Sequence, residues 1–336
     1  MKEDRPRVIV ITGASAGVGR ATAQAFAREG ARIALIARGK AGLDGARRDV
    51  EKLGGEALVL PLDVANASAI EKAAQKIEKE FGPIDVWVNN AMASVFSPIK
   101  EMTPEEFKRV TEVTYLGYVY GTLAALKRML LRNRGLIIQV GSALAYRGIP
   151  LQSAYCAAKH AIQGFVDSLR CELLHDKSRV QVCMVDLPAM NTPQFAWVKS
   201  RLPRKAQPVP PIYQPDIAAK AIVYASHNPR REIYVGMPTV GAITVNKIAP
   251  GALDHYLAHF GYDSQQYNGR EDRHRPDNLW EAMDEEKDFG AHGKFDARAT
   301  SHSPQLWTTM HRGWIAAAVL VIGGALLASF FNSNDD

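Results

Sequence analysis

The segment that most constrains the fold is residues 7–29. Arg7 to Thr12 reads RVIVIT, a short β-branched run of the kind that forms a buried strand. It runs directly into Gly13-Ala14-Ser15-Ala16-Gly17-Val18-Gly19 and then into an apolar-periodic helix, Arg20 to Glu29. Glycines at a strand-to-helix turn let the backbone come close to a pyrophosphate, and the helix N-terminus offers it free N–H groups and positive potential. The spacing is G-x-x-x-G-x-G rather than G-x-G-x-x-G, and alone it also fits a plain tight turn. A second strand-like run, Arg32 to Ala37, follows it, and strand-like and helical patterns then alternate along the chain. That alternation is the mark of an α/β fold with a parallel sheet.

A second constellation carries chemistry. Tyr155 and Lys159 stand at i and i+4, on one face of a helix. A phenol has an unperturbed pKa near ~10, and a nearby cation favours its ionised form. Such a pair can pass a proton near neutral pH, which reducing a carbonyl or oxidising an alcohol requires. Ser142 stands at the end of the apolar run Leu136 to Val140, with its hydroxyl free to polarise a carbonyl oxygen. A lone Y-x-x-x-K is common on helix surfaces, so its weight here comes from the glycine turn that precedes it.

Thr12-Gly13-x-x-x-Gly17-x-Gly19, Asp63-Val64, Asn89-Asn90-Ala91, Ser142, Tyr155-x-x-x-Lys159 and Pro188-x-x-x-Thr192 occur in that order. The series resembles that of the short-chain dehydrogenases/reductases, over roughly residues 6 to 262. The resemblance implies a Rossmann-like, doubly wound parallel sheet of about seven strands flanked by helices. It implies that Tyr155 is the general acid for reduction or base for oxidation. Lys159 would lower its pKa and bind the nicotinamide ribose, and Ser142 would stabilise the developing alkoxide. The implied cofactor site takes in Gly13, Ser15, Ala16, Gly17, Val18 and Gly19 at the turn. Asp63 and Val64 lie near the adenine, Asn89, Asn90 and Ala91 along the adenosine ribose, and Pro188 and Thr192 around the nicotinamide carboxamide, with Tyr155 and Lys159 completing it. Dimers or tetramers are the family's usual assemblies.

Two residues depart from the family pattern. Thr114 stands where an Asn is expected to anchor a proton relay. It is read either as a relay hydroxyl beside the trio or as a helix residue bonded back to a carbonyl. Met92 replaces the Gly that usually closes Asn-Asn-Ala-Gly, placing a side chain near the nicotinamide.

Cofactor choice is read at the end of the second strand. NAD enzymes of this architecture place a carboxylate there, which would repel a 2′-phosphate. Here Ala37 occupies the place and Arg38 follows it. A missing acid beside a guanidinium suits NADP(H) over NAD(H), unless Arg38 merely caps the strand at the surface. The segment Pro193 to Pro215 holds Phe195, Trp197, Leu202, Val209, Ile212 and Tyr213 among several prolines. It reads as a semi-rigid flap over the site, whose aromatics suit an apolar substrate or equally cover an otherwise exposed core, with Tyr146 and Arg147 as further pocket candidates.

The 336 residues and a formal charge of +6 fit one α/β domain of about 250 residues with an extension. No basic stripe interleaved with aromatics points to nucleic acid. Cys156, Cys171 and Cys183 have no metal-ligand spacing and read as free, mostly buried thiols, so no metal is expected. Residues 1–262 are assigned to the catalytic domain and 263–312 to a polar linker or surface arm, whose Trp280 and Phe289 neighbourhoods are candidates to dock back. Residues 313–331 are assigned to a transmembrane helix and 332–336 to a short polar tail. Trp314 to Phe331 carries no charge over eighteen residues, which spans about 27 Å of a ~30 Å bilayer core. The reading is a single-pass tail anchor with the catalytic domain facing the cytosol, against the alternative of a helix buried on a partner subunit. The function expected is interconversion of an apolar alcohol and its ketone or aldehyde. The alternative is a nucleotide-sensing or scaffolding protein that keeps the fold and recruits partners through its tail.

Overall fold

In the computed structural model, which describes residues 5–313, the β-branched runs form one seven-stranded parallel sheet. Its strands are β1 Val8–Thr12, β2 Arg32–Ala37, β3 Glu56–Pro61, β4 Val86–Asn89, β5 Gly135–Ser142, β6 Val180–Leu187 and β7 Glu232–Tyr234. They are ordered β7-β6-β5-β4-β1-β2-β3. The chain reverses its direction of travel between β1 and β4, which pair Ile9 with Val86 and Ile11 with Val88. The carboxyl ends of strands at such a switch point open a crevice between the flanking loops.

Both faces of the sheet are covered, which is why its strands read as unbroken apolar runs. Val8, Ile9, Val10 and Ile11 of β1 are all fully buried. Ile9 and Ile11 face a layer made by α1 (Gly17–Ala27), α2 (Lys40–Lys52) and the helix Pro215–His227. Val8 and Val10 face the opposite layer, made by α3 (Ala67–Phe81), α4 (Pro104–Thr111), α5 (Gly117–Met129) and α6 (Ser153–His175). A single π-helical turn, Glu112–Leu116, joins α4 to α5 and contains Thr114. Cys156 and Cys183 are buried thiols, whereas Cys171 is exposed on α6.

The flap is ordered by the arm. Arg204–Ala206 pairs antiparallel with Gln266–Arg270, and Ile212–Tyr213 pairs parallel with Ala299–Thr300. The few aliphatic side chains of the arm are spent inward, with Leu279 fully buried and Leu306 3% exposed. Most of the remaining attachment is polar, which is why composition alone made this stretch look like solvent-facing chain. Trp197 of the flap meets Phe289 of the arm edge-on at 4.8 Å.

One buried side chain joins these parts. Arg20 of α1 is 2% exposed, and its guanidinium donates to Asp49 Oδ2 at 2.8 Å, Ser15 O at 3.1 Å and Gly42 O at 3.0 Å. It also meets both carboxylate oxygens of Asp288 in the arm at 3.1 Å. No helix among the described residues is long and apolar enough to cross a membrane. The expected span at 313–331 lies, apart from its first residue, outside the described residues, as does the tail at 332–336.

Replacing Arg20 with Met should cost on the order of 2 kcal/mol, since both carboxylates lose their partner but keep access to water. The expected outcome is a lower urea midpoint with faster proteolytic cutting within residues 263–312. An unchanged cutting pattern would show that the arm is held by its other contacts.

Candidate active site

Steric exclusion shapes the turn after β1. Gly13 and Gly17 adopt φ of +66° and +58°, where a Cβ is disfavoured. Gly19, inside α1, is required by close approach instead: a Cβ there would lie 2.1 Å from Gly13 O and 2.7 Å from Asn90 Nδ2. Thr12 fixes the turn against β4, its Oγ1 accepting from Asn90 N at 2.9 Å and Ala91 N at 3.1 Å. Asn90 Nδ2 returns a bond to Thr12 O at 3.0 Å. Ala16 precedes α1 without a side-chain cap. Gly17 N is met by Gly290 O of the arm at 3.2 Å, and the rest of the α1 start, with the bare glycine backbone, forms a cradle suited to an anion.

The other end of the crevice is built by β5 and α6. A continuous cavity of about 430 Å³ takes in Gly13, Gly17 and Arg38 at one end and Ser142, Tyr155 and Lys159 at the other. Ser15, Ala16, Val18, Asp63, Val64, Asn90, Ala91, Met92, Pro188 and Thr192 also line it, so the expected cofactor segments converge there. Lys159 is 2% exposed, and its Nζ donates to Val140 O at 2.7 Å and to Tyr118 Oη at 3.0 Å. Tyr118 donates in turn to Val140 O at 3.1 Å. Lys159 Nζ lies 5.6 Å from the centre of the Tyr155 ring.

Burial dominates the electrostatics. It pushes the Tyr155 phenol above its ordinary range, against the hydrogen bond with Ser142, which lowers it. Burial likewise pushes the Lys159 ammonium down, against the Asp186 carboxylate, which raises it. Asp186 is itself pushed up, first by burial and then by Glu232, with Lys159 opposing. The expected lowering of the phenol by Lys159 is not found: desolvation raises it, and Ser142 rather than Lys159 is the group that opposes.

Several residues sit elsewhere than the sequence reading placed them. Thr114 is fully buried, and its hydroxyl accepts from Ala93 N at 2.9 Å while donating to Ala93 O at 2.8 Å. It pins the loop after β4, and that hydroxyl has no bond to Lys159. Asn89 faces away from the cavity, where its amide meets Tyr118 O, Thr122 Oγ1 and Gln139 Oε1. Tyr146 and Arg147 do not line the cavity: Tyr146 reaches Asp186 Oδ2 at 3.5 Å, and Arg147 meets Asn246 Oδ1 at 3.2 Å. Asp63 accepts from Ala65 N at 2.9 Å and forms an ion pair with Arg109. Sequence reading missed Tyr118, whose only signal is its place one helical turn after Thr114. It also missed Asn278, Met283 and Asp284, arm residues that wall the end of the cavity near Arg38.

A family model described as short chain dehydrogenase matches residues 7–201. The chain belongs to the short-chain dehydrogenase/reductase family. An uncharacterized oxidoreductase, YxnA, of Bacillus subtilis is 30% identical over 96% of this chain and 90% of its own length. A fatty acyl-CoA reductase of Acinetobacter baylyi is 30% identical over 76% of this chain and 84% of its own length. A metagenomic short-chain oxidoreductase solved in complex with NADP superposes with a TM-score of 0.58 at 27% identity, covering 69% of this chain and 97% of that one. Membership makes this protein an oxidoreductase of the family, and the NADP-bound neighbour supports nicotinamide dinucleotide binding.

The burial of Asp186 predicts a pH dependence of stability in this short-chain dehydrogenase. A carboxyl with a raised folded pKa contributes stability fully below its ordinary value of ~3.9 and loses it as pH rises through the folded value. Asp186→Asn should therefore gain on the wild type in urea midpoint as pH climbs from about 4. A pH-independent difference between the two would contradict the burial argument.

Proposed function

We propose that the protein is an NADP(H)-dependent oxidoreductase interconverting an apolar alcohol with its ketone or aldehyde. The observation that carries this reading is the convergence of Ser142, Tyr155 and Lys159 at one end of a cavity whose other end holds the glycine cradle. The turn suits the dinucleotide: Gly13 and Gly17 line the cavity, a Cβ at Gly13 or Gly19 would collide with Asn90 behind it, and the start of α1 carries no side-chain cap. Bound there, the dinucleotide supplies or accepts the hydride. Tyr155 gives a proton to the substrate oxygen in reduction and takes it back in oxidation. Ser142 hydrogen-bonds that oxygen and favours its negative form. Lys159, buried with Val140 O and Tyr118 as partners, offers its remaining donor toward the cavity. Arg38, beside the acid-free end of β2, supports NADP(H) by charge.

The lining supports an apolar substrate, since Phe96, Leu144, Ile149, Phe195 and Trp197 border the cavity. A relative named for fatty acyl-CoA reduction agrees with that class. Residues 314–331 fit a tail anchor that leaves the catalytic domain in the cytosol. The helices Met237–Ile248 and Pro250–Phe260 expose Ile248 (77%), Tyr256 and Phe260, and the first also lines the cavity through Pro238, Thr239 and Ala242. An exposed apolar surface beside the pocket favours a substrate drawn from lipid.

Tyr155→Phe should lower kcat on lipid-like ketones and aldehydes by about 10²–10⁴-fold while NADPH affinity stays within about threefold. Turnover at the wild-type rate would sink the assignment. A wild type that binds cofactor but turns over no carbonyl or alcohol would favour the sensing alternative. Deleting residues 313–336 should release active enzyme from the membrane pellet, and full-length protein found in the high-speed supernatant without detergent would refute the anchor.

A further inference from the structure

The end of β2 carries no acid, since Ala37 is followed by Arg38. The arm delivers one to the same place. A Cβ built on Gly39 would lie 1.9 Å from Asp284 Oδ1, and one on Gly42 would lie 2.4 Å from Asp284 Oδ2 and 2.9 Å from Ser15 Cβ. The carboxylate thus sits in the angle between the glycine turn and the start of α2. Gly39 has an ordinary φ of −74°, so glycine is needed there for room rather than for backbone shape. Asp284 is 7% exposed and borders the cavity together with Ser15, Arg38 and Asn278.

The contacts around it show that the carboxylate is not a structural cap. The first N–H groups of α2 are met by other acceptors: Lys40 N by Glu285 Oε2 at 3.1 Å, Ala41 N by Glu285 O at 3.1 Å and Gly42 N by Asp284 O at 3.0 Å. The Asp284 carboxylate itself accepts no hydrogen bond from any of the described residues. Arg38 is positioned by backbone of the same arm, its Nη1 donating to Trp280 O at 2.9 Å and its Nη2 to Asn278 O at 2.5 Å. Two of the five guanidinium N–H donors are used in this way, and the others remain for an anion in the cavity.

We propose that Asp284 is a cofactor-discriminating residue, a carboxylate supplied by the arm that opposes the adenosine 2′-phosphate attracted by Arg38. Without that phosphate, the carboxylate is placed to accept from the ribose hydroxyls. The proposal rests on the dinucleotide reading of this cavity and adds to it that selectivity is a balance between one cation and one anion from distant parts of the chain.

The test uses ADP-ribose and 2′-phospho-ADP-ribose, which differ only in the phosphate, titrated calorimetrically into the full-length protein in detergent. Asp284→Asn should tighten the phosphorylated probe about tenfold and leave ADP-ribose within about threefold or weaken it. The gain should shrink as salt is raised. Asp284→Ser should behave alike, and thermal melts of both variants report whether the arm stays docked. Equal shifts for both probes, or no shift for either, would overturn the proposal. A wild type that prefers ADP-ribose, with Asp284→Asn reversing the preference, would overturn the NADP(H) reading while upholding the role of Asp284. A wild type that binds neither probe would overturn both.

Discussion

The guanidinium of Arg20 is the contact on which the cofactor end of the molecule depends. Removing such a group from water costs several kcal/mol unless its N–H donors all find acceptors. Ser15 O, Gly42 O, Asp49 and Asp288 meet that demand together, and they come from the glycine turn, from α2 and from the arm. None of these segments can shift alone without stranding a buried charge. The glycine turn is therefore held on one side by an electrostatic requirement as well as on another by the close contacts of Gly13 and Gly19 with Asn90.

The catalytic end obeys a related logic with the opposite purpose. Lys159, Tyr155 and Asp186 are all driven toward their neutral forms by desolvation. Burial brings the Lys159 ammonium down to about 7 and the Asp186 carboxyl up to about 8, whereas the Tyr155 phenol is held in its protonated form. Tyr118 and Val140 O fix the ammonium at 3.0 and 2.7 Å, so the lysine keeps a set direction while its charge is destabilised. Thr114 contributes differently, by locking the loop at Ala93 that carries Met92 into the cavity wall.

The sheet was legible because its strands are buried on both faces, which leaves an apolar signature that local reading detects. Arg32–Ala37 matches its expected range, and Glu232–Tyr234 falls within the expected Glu232 to Val235. The glycine turn and the Tyr155/Lys159 spacing were legible because local chemistry dictates them. The arm was legible only at the Trp280 and Phe289 neighbourhoods, because the rest of its attachment uses scattered side chains such as Leu279, Phe295 and Leu306, backbone carbonyls and single charges rather than a periodic apolar face. Nothing near Asn278 or Trp280 in the sequence announces that their carbonyls will receive Arg38. Tyr118 was missed for the same reason: its partner Lys159 lies 41 residues away and on another helix.

The same long reach has a consequence for how the chain acquires its structure. Arg20 and Asp288 are 268 residues apart, yet the turn that opens the first βα unit is completed only when they meet. During synthesis from the N-terminus, Asp49, Ser15 O and Gly42 O can meet the guanidinium early, but its second carboxylate arrives only when nearly the last described segment has emerged. A nascent chain halted near residue 262 would carry every strand of the sheet and still present an unfinished nucleotide turn. The last carboxylate around Arg20 is then a late arrival in the life of the chain, supplied by the arm rather than by the sheet.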